Sequence, residues 1–133
     1  MREILFKAKR RDTEKWVEGY YMCLHAAYSE GDLHFIVDER DGEYHRIDPD
    51  TVCQYTGLTD RNDKKIFEDD IVTSDDFCPD NEGYGVIEWR DEELMFTVDT
   101  DDAYYDFSNL DWAKLEVIGN MFDNPELIIG VEE

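Results

Sequence analysis

Few residues in this chain have the chemistry of a reaction centre, and they do not converge in sequence. His25, His34 and His45 are isolated from one another and lie in or beside runs with strand character. A histidine works as a base or ligand only when neighbouring groups orient it, so these three read as structural or surface residues. Cys23, Cys53 and Cys78 are odd in number and contain no C-x-x-C pair, so neither a disulfide framework nor a zinc site is expected. Free cysteines of this kind are most often small buried hydrophobes. No serine or cysteine sits in a nucleophile signature. Asp99-Thr100-Asp101-Asp102 has the acid density of a metal loop, but lacks the glycine and the twelfth-position Glu of a calcium hand. It reads as a solvated turn. No catalytic, cofactor-binding or metal-binding residue is assigned, and the expected class is a non-enzymatic binding protein.

Charge narrows the choice of partner. The chain of 133 residues carries 13 Lys/Arg against 35 Asp/Glu, a net charge of −22. Residues 1–65 hold 11 basic and 14 acidic residues, a net −3; residues 66–133 hold 2 and 21, a net −19. A surface this acidic repels phosphate backbones unless basic groups cluster elsewhere. Two basic groupings could contact phosphates: Lys7 to Lys15, and the turn Asp60 to Lys65 with Arg61, Lys64 and Lys65. Each is flanked by carboxylates, so a nucleic-acid role through them is the second reading. The preferred partner is a protein, with a basic one favoured. The acidic loops Asp75–Glu82, Asp91–Glu93 and Asp99–Asp102 are the expected contact surface, with association weakening as salt rises. Arg61, Lys64, Lys65 and Tyr55 are the candidate contact residues within the central segment. Tyr20-Tyr21 and Tyr104-Tyr105 each put one ring on either face of a strand, and an outward ring can anchor a peptide or a second subunit.

The elements that must carry these groups are short and extended. Strands are expected at 3–8, Trp16–Leu24 (with a bulge or bend at Gly19), Leu33–Val37 and Glu43–Ile47. Asp41-Gly42 is a hairpin turn between the last two. Pro49 stops this meander and pushes Asp48 to extended geometry. Thr51–Tyr55 is short and extended, and Thr56–Lys65 is turn-rich. Ile66–Thr73, Tyr84–Trp89, Leu94–Val98 and Leu115–Asn120 have the size and spacing of an SH3-like barrel. A short strand falls at Tyr104–Phe107, one helical turn at Ser108–Ala113, and a closing turn of helix near Asp123–Ile128 with Asn124 as cap.

The whole is expected to be one all-β domain, residues 1–133, with one or two short helical turns. An N-terminal β-meander (1–53) packs on a small SH3-like partial barrel (54–133). Aromatic residues make up 14% of the chain, which argues for a folded core despite the charge. No apolar run is long enough for a signal peptide or a membrane span, and unpaired thiols suit a reducing compartment, so a cytoplasmic protein is expected.

Three stretches resemble the YopX family of small bacteriophage and prophage proteins. Arg2-Glu3-Ile4-x-Phe6-x-Ala8 is similar to its start. Asp48-Pro49-Asp50-Thr51-Val52-x-Gln54-Tyr55-Thr56-Gly57-Leu58-x-Asp60, with Lys65-Ile66-Phe67-Glu68-x-Asp70-Ile71-Val72, is similar to its central signature. Leu115 to Asn120 with Asn124-Pro125-Glu126-Leu127 is similar to its end. The chain departs from the family pattern at Asn62-Asp63 and at Glu68-Asp69-Asp70, where the family commonly has glycine. Both places suit positive φ, which Asp tolerates at some cost. The resemblance implies a phage or prophage origin, a β-rich fold and no known catalytic residue.

Overall fold

The computed structural model describes residues 4–25, 31–74, 84–100, 104–106 and 114–129. The chain is nearly all β, with antiparallel pairing, and divides into two compact units, Met1–Tyr55 and Thr56–Glu133. Among the described residues no helix is long and apolar enough to cross a membrane.

In the first unit β1 (Phe6–Lys9), β2 (Trp16–His25), β3 (Asp32–Asp38) and β4 (Tyr44–Arg46) form a meander. The start of β5 (Cys53–Thr59) pairs with the other side of β1, giving the order β4-β3-β2-β1-β5. The Asp41-Gly42 turn falls where the sequence puts it. Gly42 has φ 74, its N–H donates to the Asp38 carbonyl at 2.8 Å, and the Asp38 N–H donates to the Glu43 carbonyl at 2.9 Å. Asp48 is extended (φ −80, ψ 115), as its following proline requires. It caps a single 3₁₀ turn, Pro49–Thr51, by accepting from the Asp50 N–H at 3.0 Å.

Gly19 corrects an expectation. It makes neither bulge nor bend: the register runs unbroken through Phe6↔Gly19 and Gly19↔Asp38. A Cβ there would lie 1.9 Å from the Val37 carbonyl oxygen, so the glycine is set by the close approach of β3. The unit's core is Ala8, Val17, Ile36 and Ile47, with Phe6 and Val52 packed against it.

The second unit holds the rest of β5, β6 (Lys65–Phe67), β7 (Asp70–Thr73), β8 (Tyr84–Arg90), β9 (Met95–Asp99), β10 (Tyr104–Asp106), β11 (Glu116–Asn120) and one helical turn, α1 (Glu126–Ile129). Five strands pair in the order β10-β9-β8-β7-β11. A meander whose last strand returns to its first is the strand order of an SH3-like barrel. Ile66, Val72, Ile87, Val98 and Leu115 are its buried core, joined by Phe96, Tyr105 and Val117.

Half of the segment expected to be turn-rich is strand. β5 runs on to Thr59 because Gly57 takes φ 93 inside it, and the Thr56 hydroxyl donates to the Ile66 carbonyl at 2.8 Å. The turn shrinks to Asp60–Lys64. Ile66–Thr73 is interrupted at the acidic corner, where Asp69 has φ 69; Asp63 has φ 63. Both departures from glycine thus fall on left-handed backbone. The bulge lies in β11, where the register shifts between Val117 and Gly119. The Asn124 side chain accepts from the Asn120 N–H at 3.3 Å and so serves the end of β11. The predicted helical turn at Ser108–Ala113, and all of the Ser74–Gly83 loop but Ser74, lie outside the described residues.

Candidate binding face

Strand alternation gives the first sheet two unlike faces. On one, Ala8, Val17 and Ile36 are buried. On the other, the register lines up cross-strand rows: Tyr20–Val37–Tyr44, Met22–Phe35–Arg46 and Leu24–Leu33. This second face is open. Tyr20 is 55% exposed, Leu24 46% and Tyr44 62%. Its cations lie against its rings. Lys7 Nζ stands 4.6 Å and Lys9 Nζ 5.5 Å from the Trp16 ring centre, and the Arg46 guanidinium 5.9 Å from that of Phe35. Phe35 and Tyr44 meet edge to face at 6.3 Å. Of these the sequence reading picked out Tyr20, as one of a tyrosine pair, and Lys7 and Lys9, within a basic grouping; the cross-strand register that assembles the patch is not visible in any single stretch.

The Asp60–Lys65 turn is built differently. Asp60 is buried, at 4% exposure. Its carboxylate accepts from the Asn62 N–H at 2.8 Å, the Lys64 N–H at 2.9 Å and the Val117 N–H at 2.9 Å. Burial pushes this carboxyl up, but the three N–H donors and the Lys64 charge outweigh it and hold it below the usual range. Asp60 therefore pins the turn to β11. Arg61, exposed by sequence reasoning, is half-exposed and pairs with Glu116, which Asn62 Nδ2 also reaches at 3.4 Å. Lys64 is exposed, while Lys65 opens β6 and is half-buried. Tyr55 is removed from the contact set: at 8% exposure it is a buried residue. Strand alternation buries it, and its N–H donates to the Leu5 carbonyl at 2.8 Å.

Of the three acidic loops, Asp75–Glu82 and Asp101-Asp102 lie outside the described residues; Asp91–Glu93 is exposed. Asp99 is engaged, accepting from Arg90 NH2 and from the Thr97 hydroxyl, both at 2.8 Å. The neighbouring Asp99 carboxylate, with partial burial, pushes the Glu88 carboxyl up to about 7. Asp38, at 3% exposure, is chelated by Arg40, whose hydrogen bonds hold its carboxyl below the usual range.

No curated protein matches this chain. A solved structure, described as the crystal structure of protein EF1440 from Enterococcus faecalis, is 21% identical to it. The likeness covers 96% of this chain and 99% of that one, with a TM-score of 0.50, and is one of fold. The family model described as YopX protein matches residues 5–129, nearly the full length. With that match, and with left-handed backbone at both places where the chain departs from the family's glycines, the chain belongs to the YopX family.

Proposed function

We propose that this chain is a non-catalytic binding protein that engages a protein partner through the open face of β2, β3 and β4, in the phage or prophage setting its family resemblance implies. The observation that supports this is the exposure of Tyr20, Leu24 and Tyr44 on one sheet face. Scattered apolar residues on a surface are ordinary, but cross-strand rows of them form a contiguous patch of the kind that binds. Tyrosine is favoured at such sites because it offers a large, stiff surface with one polar end. The acidic charge has a separate role: it steers a basic partner at long range and sets the rate of encounter.

A nucleic-acid reading has support in the basic and aromatic groups of the same face. It is the weaker one. Lys7 and Lys9 lie over the Trp16 ring, which a base would need for stacking, and the net charge of −22 opposes a polyanion.

The test is capture from host-bacterium lysate by the immobilised chain and by its Tyr20→Ser/Leu24→Ser/Tyr44→Ser variant. The same circular dichroism, with protein retained by the parent chain alone, supports the reading. Equal retention by both contradicts it. Retention abolished by nuclease treatment of the lysate shifts the function to nucleic acid.

A further inference from the structure

We propose a divalent transition-metal site, zinc in class, formed by Cys23, His25 and Asp32 at the end of the β2–β3 hairpin. The residues converge through sheet geometry. Cys23 and His25 are two apart on β2 and so share a face, and the register places Asp32 directly opposite His25. One ligand atom from each residue lies within 4.8 Å of the other two. Tetrahedral zinc needs its ligand atoms only a little closer, since its bonds to sulfur, nitrogen and oxygen are about 2.0–2.3 Å long. His25 and Asp32 are exposed and Cys23 is half-buried, so small side-chain rotations close the gap.

The donor set selects the ion. A thiolate, an imidazole and a carboxylate suit zinc and its soft neighbours and do not suit calcium or magnesium, which take oxygen donors. In the metal-free protein His25 Nδ1 and Asp32 Oδ1 share a proton across 2.6 Å. Zinc entering between them leaves the neutral imidazole's proton on Nε2. The Cys23 thiol loses its proton on binding, so one proton is released per ion and no redox partner is needed. His34, opposite Cys23, borders the site with its Nδ1 held by the Tyr21 hydroxyl at 2.5 Å, but it is not among the residues whose ligand atoms converge, so the fourth position falls to water. A second grouping, Asp38, Asp41 and His45, is a poorer site because Asp38 is already chelated by Arg40. Sequence spacing hides the first site: its ligands follow strand alternation and cross-strand register, so no C-x-x-C pair appears.

The test uses the full chain after treatment with chelator. Co²⁺ is added and the thiolate-to-metal charge-transfer absorption is followed, then Zn²⁺ is used to displace it. One equivalent of Co²⁺ should develop the band, and Zn²⁺ should abolish it while excess Mg²⁺ does not. Cys23→Ser should eliminate the band. His25→Ala and Asp32→Asn should each weaken binding by about tenfold or more. Unaltered circular dichroism in each variant separates loss of metal from loss of folding. No band, a band surviving in Cys23→Ser, or displacement by Mg²⁺ would overturn the site. None of these outcomes bears on the aromatic face, whose variants leave Cys23, His25 and Asp32 in place.

Discussion

The first unit leaves one face of its sheet open, with Tyr20, Leu24 and Tyr44 exposed, whereas the second unit returns β11 to β7 and turns key carboxylates onto its own groups. Asp60 holds three backbone N–H groups, buried Asp70 accepts from the Phe67 N–H at 2.8 Å, and Asp99 holds Arg90 and Thr97. Net charge therefore does not locate a binding surface. The acidic half, at −19 for residues 66–133, looks like the contact region, yet part of its acidity is structural. The near-balanced half carries the most exposed rings among the described residues, Tyr20 and Tyr44.

The largest effect that could break this contrast is at Asp60. Asp60→Ala takes the buried acceptor from three backbone N–H groups and should destabilise the chain by about 2 kcal/mol in urea unfolding. Because the folded-state carboxyl lies below its unfolded value, its contribution is present above about pH 4 and is lost as pH falls through the lower folded value. The variant should accordingly lose the part of the acid unfolding profile that Asp60 supplies. A loss below about 0.5 kcal/mol would show that this carboxylate is surface charge after all.

Arg61→Glu places a like charge beside Glu116 and should cost about 1 kcal/mol, suppressed by salt. Glu88 titrates in the opposite sense to Asp60. Its pKa is raised from 4.5 to about 7, so stability is greatest below the unfolded value and falls as pH rises through 7. Glu88→Gln should be more stable than the parent chain at pH 8, with the difference vanishing near pH 4; thermal unfolding at the two pH values reads it. The smallest change is at Lys64, which is exposed. Lys64→Glu should alter stability by no more than about 0.5 kcal/mol.

What was legible in the sequence is what backbone chemistry dictates locally. Pro49 marks the end of the meander, Asp41-Gly42 its turn, and the two Asp-for-Gly positions the left-handed backbone at Asp63 and Asp69. What was not legible depends on contacts distant in sequence. Gly19 looks like a bend because the Val37 carbonyl that requires a glycine is supplied by another strand. Asp60 looks like one more turn carboxylate, since its bond to Val117 spans most of the second unit. Tyr20, Leu24 and Tyr44 become one patch only through the pairing of β2, β3 and β4.

The most direct test of which region binds is retention of the captured partner as salt is raised from about 0.05 to 1 M, where the screening length falls to roughly 3 Å. If the open face of the first sheet holds the partner, retention persists at high salt while capture becomes slower. Elution of the partner as salt rises, with the Tyr20/Leu24/Tyr44 variant behaving like the parent chain, would return the binding surface to the acidic half.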